Sequence, residues 1–268
     1  VTPNVRNRLA GHLCRRLKLT TGTLRRLATG GSEGALATEL ALPDCSRIEP
    51  QQMEATLLEC RESLEVLRLG TCGCCFTDHT AAALVKAGGM PRLETLSLHG
   101  CYRLSDTSLA SLLRTLPALR AVELPCDSRL GRAGLAALAE GPLGGRLTGL
   151  SVNQCDQLDA ADLQFLGSFP ALEILRAAGL PALTDAVLEA ALARCGKSLR
   201  LLDIEDCEGL TDASLTAVRR HCGSLTELHL GMNPSFSNEA LLGLFAFKDA
   251  MAAAAKAAQA EAAAAAAA

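Results

Sequence analysis

The chain has 268 residues, enough for a sizeable core, with a formal net charge of −3, no Trp, one Tyr and six Phe. Its apolar content is therefore mostly aliphatic, and it contains no run of bulky apolar residues long enough to cross a bilayer. The small net charge by itself neither favours nor excludes nucleic acid as a partner, so composition predicts a globular protein without a membrane span.

The first segment, residues 1–36, differs from the rest of the chain in charge. Its first 32 residues hold no acid and seven basic side chains: Arg6, Arg8, Arg15, Arg16, Lys18, Arg25 and Arg26. Leu9, Leu13 and Leu17 recur at a spacing that places them on one face of a helix. We expect a basic helical cap over the repeats that follow, a docking helix for a partner protein, or a phosphate-facing patch.

Residues 37–247 contain an internal repeat. Segments that begin at Leu64, Leu93 and Leu199 share the frame L-x-x-L-x-L-x-x-C, followed by a turn, an apolar residue, Thr or Ser, and Asp. The last apolar residue of this frame, or its counterpart, recurs at Leu42, Leu69, Leu98, Leu124, Val152, Ala177, Ile204 and Leu230. A period of this length predicts an α/β leucine-rich-repeat solenoid of about eight strand–helix units.

Each unit is predicted to hold one strand and one helix. The alternating L-x-L stretch is typical of a strand with one buried face. The helix is expected to begin at the Thr-Asp pair, where Asp78, Asp106, Asp185, Asp212 and Asn238 would each accept a bond from an amide in the first turn of their own helix. Stacked units bury what one unit cannot, which places parallel strands on the concave face.

The cysteines follow the repeat. Five of them stand three residues after a strand marker: Cys45, Cys72, Cys101, Cys155 and Cys207. Stacked turns would align these thiols in an apolar column, so we predict a structural ladder of buried, reduced cysteines. Free thiols of this kind are typical of a reducing compartment inside the cell: the cytoplasm, the nucleus or the cilium.

The stretch Cys72-Gly73-Cys74-Cys75 raises the question of a metal or redox site. Zinc takes about four ligands, and no second C-x-x-C or H-x-x-x-H pair completes the set here. We therefore predict no metal site, and we expect Cys74 and Cys75 in an exposed turn where a thiol could react.

Catalytic patterns are scarce. The five histidines are scattered, no nucleophile–base pair has a supporting local motif, and no glycine-rich loop opens a helix in the phosphate-binding pattern. We therefore predict a protein with no catalytic residues and no cofactor. The few aromatic side chains weigh against direct binding of nucleic acid.

The candidate binding surface is the outward side of the strands. In L-x-L the middle residue points away from the helices, and a residue two positions later shares its side. These positions hold Arg68, Ser97, His99, Glu123, Ser151, Asn153, Arg176, Asp203, Glu205 and His229. Most are polar, with acids near the C-terminal end, so we predict a protein or peptide ligand with a basic element near Asp203 and Glu205.

The frame resembles the cysteine-containing leucine-rich repeats of F-box/leucine-rich-repeat proteins, with "LHGCYRLSDTSLASLL" and "IEDCEGLTDASLTAVRRHC" the best matches. A narrower stretch, residues 42–78, is similar to the leucine-rich-repeat subunit of the fungal global-genome nucleotide-excision-repair complex. The resemblance implies a substrate receptor or scaffold of a cullin-type ubiquitin ligase, with a cullin adaptor as partner and a weak link to DNA repair.

Departures from this family keep an alternative open. No F-box opening precedes Leu40, and Ala10 stands where an elongin-binding box needs Leu. Similar repeats also serve as structural subunits of large assemblies such as the ciliary axoneme, which is the second hypothesis. The last segment, residues 248–268, is rich in alanine and is predicted to be a helical tail.

Overall fold

The computed structural model describes residues 38–124, 129–244 and 246. Within these residues eight parallel strands form one sheet in chain order. The strands are β1 (Glu39–Leu42), β2 (Val66–Leu69), β3 (Thr95–Leu98), β4 (Ala121–Glu123), β5 (Gly149–Ser151), β6 (Ile174–Arg176), β7 (Leu201–Asp203) and β8 (Glu227–His229). Each ends at its predicted marker or one residue before it, so the predicted strand positions are confirmed.

Helices follow the strands on the other side of the sheet. They are α1 (Pro50–Cys60), α2 (Asp78–Lys86), α3 (Asp106–Leu113), α4 (Arg132–Ala139), α5 (Ala160–Leu163), α6 (Asp185–Cys195) and α7 (Asp212–His221). Short 3-10 helices cover Cys72–Cys74, Gly141–Leu143 and Gln164–Ser168. Residues 238–244 are also helical.

This arrangement is an α/β leucine-rich-repeat solenoid. The inward leucines of successive units, such as Leu67, Leu96 and Leu150, are fully or almost fully buried and form one continuous core between the sheet and the helices. Neighbouring strands lie about 4.8 Å apart, whereas packed helices need roughly 8–10 Å. Stacking both in one array bends it, so the sheet takes the concave side.

The structure describes residues from only one of the three predicted segments of the chain. The solenoid predicted over residues 37–247 corresponds to the described part of the chain. The predicted basic cap, residues 1–36, and the predicted alanine-rich tail, residues 248–268, lie outside the described residues.

The aspartates at the helix starts do not cap their own helices, which corrects the sequence-based expectation. The residue before each of them, such as Thr77 or Ser105, takes the N-cap position. Each aspartate instead bonds to the start of the next unit's helix. Asp78 accepts from the backbone N–H and hydroxyl of Ser105, at 2.7 and 2.9 Å. We call Asp78, Asp106, Asp185 and Asp212 the aspartate struts.

The other struts repeat this geometry. Asp106 accepts backbone N–H groups of Gly131, Ala133 and Gly134 at 2.8–2.9 Å. Asp185 accepts from Thr211 and from the hydroxyl of Ser214. Asp212 accepts from the backbone N–H and hydroxyl of Ser237. Since each bond joins residues 25 to 29 positions apart, the struts link units rather than stabilise one helix.

The centre of the solenoid lacks this link. Arg132 and Ala160 are the first residues of α4 and α5, where a strut would stand. Helix α5 is capped locally, because Asp159 accepts from the backbone N–H of Asp162 at 2.8 Å and the Asp162 carboxylate accepts the Asp159 N–H in return. Arg132 is the contact between the two units, 3.6 Å from the Asp162 carboxylate.

The turns after six of the described strands repeat a left-handed residue. One residue before the cysteine column the backbone has φ between 50° and 66° at Thr71, Gly100, Gln154, Gly179, Asp206 and Met232. Four of these six residues carry a side chain that disfavours this conformation. The repeat therefore imposes the turn even where the local residue opposes it.

Candidate functional site

The candidate binding surface is a row of side chains that crosses the sheet. The strand pairing places Ala41, Arg68, Ser97, Glu123, Ser151, Arg176, Asp203 and His229 side by side in register. We call these eight residues the concave row. Seven of them are predicted binding residues, and Ala41 in β1 completes the row at its first strand.

Two members of the row contribute little surface. Ser97 and Ser151 are only 2% and 6% exposed, although both face the concave side. Each is a short side chain between longer ones on strands about 4.8 Å away, such as Arg68 and Glu123 beside Ser97. Their role as partner contacts stays a prediction, and a ligand above the row would meet their neighbours first.

The charged members of the row form loose pairs across strands. The guanidinium of Arg176 lies 4.0 Å from the carboxylate of Glu123, and that of Arg68 lies 3.9 Å from Glu39. Both distances exceed a hydrogen bond, so these contacts are Coulombic and weak on an accessible surface.

The C-terminal half of the face is acidic. Asp203 and Glu205 are partly exposed, and Glu227 in β8 is exposed. Asp203 accepts from the side-chain amide of Asn153 at 3.4 Å and from the backbone N–H of Glu205 at 3.3 Å. The side-chain oxygen of Asn153 is already used, because it accepts the N–H of Ala178 at 2.9 Å. Asn153 therefore positions the acidic group and has only its amide to offer a ligand.

A cavity of about 550 Å³ opens on the concave face over the first four strands. We call it the Arg68 pocket; its side walls and floor include Ala41, Arg68, Gly70, Ser97, His99 and Glu123. Sequence reasoning named four of these residues but did not predict a cavity. The missed signal is the pair of small residues, Ala41 and Gly70, at outward positions beside long side chains.

An apolar strip runs beside the concave row. Two residues before the row, on the same side of the sheet, lie Val66, Ala121, Ile174 and Leu201. Ile174 is 38% exposed, which is unusual for a large aliphatic side chain in a sheet. The sequence analysis missed this strip because it considered only the polar positions. A ligand on the concave face would meet apolar surface on one side and charge in the middle.

The predicted cysteine ladder lies in the turns behind the sheet. Cys45, Cys72, Cys101, Cys155 and Cys207 are at most 1% exposed, and each thiol donates to a strand-end carbonyl. Some of these bonds join units: Cys155 donates to the carbonyl of Leu124 at 3.0 Å and Cys207 to that of Ala177 at 3.3 Å.

Burial keeps several of these thiols protonated. It raises the pKa of Cys207, and the neighbouring Cys101 thiol together with burial raises the pKa of Cys72. Cys60 and Cys195, at helix ends, have their pKa raised to about 11 by burial. Because the thiolate is the reactive form, these cysteines are poor nucleophiles and poor metal ligands.

The cluster at 72–75 differs from the predicted exposed turn. Residues Cys72–Cys74 form a 3-10 helix, and Cys75 is fully buried, which corrects the expectation that it is accessible. The thiol of Cys45 lowers the pKa of Cys75. Cys74 is partly exposed and donates to the carbonyl of Cys45 at 3.3 Å. The extra residue in this turn is thus packed inward rather than looped out.

Within the described residues, no three His, Cys, Asp or Glu side chains are grouped so as to hold a metal ion. None of the helices in residues 38–124 and 129–246 has the length and apolar character needed to cross a bilayer.

Comparison with known proteins gives relatives both in sequence and in structure. No protein-family model matches the chain. Antagonist of mitotic exit network protein 1 from Eremothecium gossypii is 30% identical over 198 residues, which are 73% of this chain and 49% of that protein. The chain therefore spans about half the length of this curated relative.

One solved structure supports the fold, and two others align less well. A chain in the crystal structure of the yeast Rad7 and Elc1 complex aligns with a TM-score of 0.72 at 20% identity, over 91% of this chain and 61% of that one. An internalin from Listeria monocytogenes aligns with a TM-score of 0.46 at 17% identity, over 76% of this chain and 56% of that chain. The leucine-rich repeat-containing protein LegL7 from Legionella pneumophila gives 0.35 at 13% identity, over 84% and 93%.

Proposed function

We propose that this chain is a non-catalytic module that binds a segment of a partner protein along its concave face. The observation that carries the proposal is the concave row, which presents accessible charged side chains in register beside an apolar strip in which Ile174 is exposed. A face used only to close the fold needs solubility but neither the exposed Ile174 nor a cavity. Catalysis and cofactors have no part in this proposal.

The dimensions suit an extended segment. Eight strands in register span seven steps of about 4.8 Å, roughly 34 Å from the first strand to the last. An extended chain rises about 3.3 Å per residue, so about ten residues would cross the whole face. Such a segment would place apolar side chains toward Val66, Ile174 and Leu201 and polar ones toward the concave row.

The charge of the C-terminal half specifies one feature of the partner. Asp203 and Glu205 lie together with only long hydrogen bonds at Asp203, so its carboxylate keeps acceptor capacity. A Lys or Arg of the partner would meet both carboxylates. Accessible charges of this kind contribute mainly to the association rate and to specificity.

The finer role we propose is that of a substrate receptor or scaffold in a cullin-type ubiquitin ligase. Its support is the repeat frame, which resembles the F-box/leucine-rich-repeat type, and the shared fold with a chain of the Rad7 and Elc1 complex. The curated relative is named as an antagonist of the mitotic exit network, and a module that captures regulatory proteins would suit such a role. A place inside the cell, in the nucleus or cytoplasm, belongs to the same proposal.

The test is affinity purification of the tagged full chain with mass spectrometry, followed by binding assays on a recovered partner. A cullin adaptor in the eluate supports the ligase role, whereas a stoichiometric structural assembly, such as an axonemal one, supports the alternative. The double variant Asp203→Arg with Glu205→Arg should weaken partner binding by tenfold or more.

A matched control separates this effect from net charge. Asp156→Arg with Glu208→Arg makes the same charge change at exposed turn positions outside the concave row. This control should bind as the parent chain does. If both doubles bind equally well and deletion of residues 1–32 abolishes binding, the docking element is the basic N-terminal segment and the concave-face proposal fails.

A further inference from the structure

The Arg68 pocket is a concavity of about 550 Å³ on the concave face. It lies over β1–β4, at the end of the face away from the Asp203 and Glu205 carboxylates. Its lining combines apolar atoms, many of them from small residues, with the polar ends of Arg68, His99 and Glu123. A cavity of this kind, mostly apolar with a few converging polar groups, is the usual form of a site for one side chain or a small ligand.

The pocket exists because of where the small residues stand. Gly70 follows β2 directly, and a Cβ atom there would lie 2.1 Å from the carbonyl oxygen of Pro43. The backbone of the first unit therefore closes against the second, and no side chain rises at position 70, which follows Arg68 and β2 and lies beside His99 of the next unit. Ala41, beside Arg68 in the concave row, leaves the adjacent space open.

The polar groups of the pocket are available to a ligand. Among the described residues, the guanidinium of Arg68 donates no side-chain hydrogen bond, since the carboxylate of Glu39 lies 3.9 Å away, and the side chain is half exposed. His99 is exposed, and its ring makes no hydrogen bond within the same part of the chain. Two donors thus face the same cavity. An Arg fork matches a carboxylate in a bidentate way, which makes it the stronger anchor of the two.

We propose that the Arg68 pocket binds the carboxylate of an Asp or Glu side chain of the partner segment, held by Arg68 with His99 as second donor. This inference rests on the proposed function and adds the second half of the partner's charge pattern: acid at this end, base near Asp203. A carboxylate fits better than a phosphate dianion, because Glu39 and Glu123 stand beside the two donors and repel a second negative charge.

The charge of the first segment also excludes residues 1–32 as the source of the acid. Residues 1–32 of this chain hold seven basic side chains and no acid, so they cannot supply the carboxylate. The concave row itself has its acids at Glu123 and Asp203, which are fixed in strands.

The experiment uses a random dodecapeptide library displayed on phage and selected on the immobilised full chain. Enriched peptides are synthesised with a fluorophore and titrated by anisotropy. We expect a recurrent Asp or Glu at a fixed position in the peptides. Arg68→Met should raise the Kd about tenfold, the range of one charge-assisted contact. The Kd of Arg68→Lys should lie between those of the parent chain and Arg68→Met, and His99→Ala should raise the Kd about threefold.

A double-mutant cycle localises the contact. Replacing the peptide's acid by its amide should remove most of the difference between the parent chain and Arg68→Met. Arg200→Met is the matched control for charge, since Arg200 is exposed, pairs with Glu173 at 3.7 Å and precedes β7 outside the pocket. It should bind acidic peptides as the parent does, and thermal melts should confirm that all variants are folded.

The outcomes separate the two proposals. Failure to enrich any acidic peptide, or equal binding by Arg68→Met, overturns the pocket assignment. Binding that tightens tenfold when phosphoserine replaces the acid also overturns it, in favour of a phosphate site. Basic peptides lost on Asp203→Arg would leave the concave-face proposal standing while the pocket assignment falls. Peptides insensitive to every concave-face variant would remove both.

Discussion

The outer units of the solenoid and its centre are held together differently. At four junctions in the outer units an aspartate strut, for example Asp185, binds the start of the following helix, so that helix is capped by the preceding unit. Between α4 and α5 no strut is present, and α5 relies on its own residues Asp159 and Asp162. The contact across this junction is Arg132, which approaches Asp162 and stacks 5.3 Å from the ring centroid of Phe165.

The difference teaches where cooperativity should be weakest. In a linear repeat array, stability is approximately a sum of unit terms and nearest-neighbour terms. A strut contributes to the neighbour term, because its carboxylate is on one unit and the amides are on the next. A local cap contributes to the unit term alone. The junctions on either side of α5 therefore lack the contribution of a strut to the neighbour term, and partial unfolding should begin there rather than at a junction that a strut spans.

The largest expected loss of stability should be similar in the centre of the solenoid and in its outer units. Cys155→Asp in the centre and Cys207→Asp in an outer unit both place a carboxylate where a thiol now faces a strand-end carbonyl. Each should lower the free energy of unfolding by roughly 3–5 kcal/mol, since the charge is buried and unpaired. Urea unfolding measures it, with Cys155→Ala as the milder control. A loss below about 1 kcal/mol would contradict the apolar column.

Removal of a strut should lower the free energy of unfolding more than removal of the local cap does. Asp106→Ala leaves three backbone N–H groups at the start of α4 without an acceptor and should cost about 2–4 kcal/mol of unfolding free energy. Asp159→Ala removes one cap and should cost about 1 kcal/mol.

Both variants are compared by urea unfolding with Asp156→Ala, an exposed turn residue bonded only to Gln157 among the described contacts. Equal losses from Asp106→Ala and Asp159→Ala would mean that the struts add no coupling between units.

The struts should also make the unfolding free energy of the outer units sensitive to acid. Burial opposes ionisation of both Asp78 and Asp185. Hydrogen bonds outweigh it, from Ser105 at Asp78 and from Ser214 and Thr211 at Asp185, and they lower the pKa of each carboxyl. A lowered folded-state pKa gives stability that is complete above the unfolded value, about 3.9, and is lost as pH falls through the folded-state pKa.

Unfolding free energy should therefore decline from about pH 5 downward, and Asp185→Asn should flatten this decline. Urea titrations at pH 7, 5 and 3 measure it. A variant with the same slope as the parent chain would show that Asp185 is not more strongly hydrogen-bonded in the folded state.

The smallest expected change in stability should also be similar in the centre and in the outer units. Gln154 in the centre and Asp206 in an outer unit have φ of 58° and 54°. Glycine at either position should raise the unfolding free energy by about 0.5 kcal/mol, because the relief of left-handed strain exceeds the added chain entropy. Gln157→Gly, in the same turn as Gln154 but without a positive φ, should be neutral or destabilising. The same response from Gln154→Gly and Gln157→Gly would count against a strain effect.

Much of the fold could be predicted from the spacing of apolar residues. A strand has a period of two, and a repeat of 25 to 29 residues aligns successive strands, so the markers from Leu42 to Leu230 located every strand of the described sheet to within a residue. The members of the concave row followed from the same alternation, because a residue between two buried leucines must face the other way.

The tertiary structure alone decided which partners those residues have. Asp78 reads as a cap for its own helix, but stacking brings Ser105 within 2.7 Å of its carboxylate. Ser97 reads as an accessible contact, yet its neighbours on adjacent strands bury it. The Arg68 pocket depends on how closely Pro43 approaches Gly70, a distance between units. Local periodicity fixes the direction of a side chain, whereas its burial and bonds depend on residues 25 or more positions away.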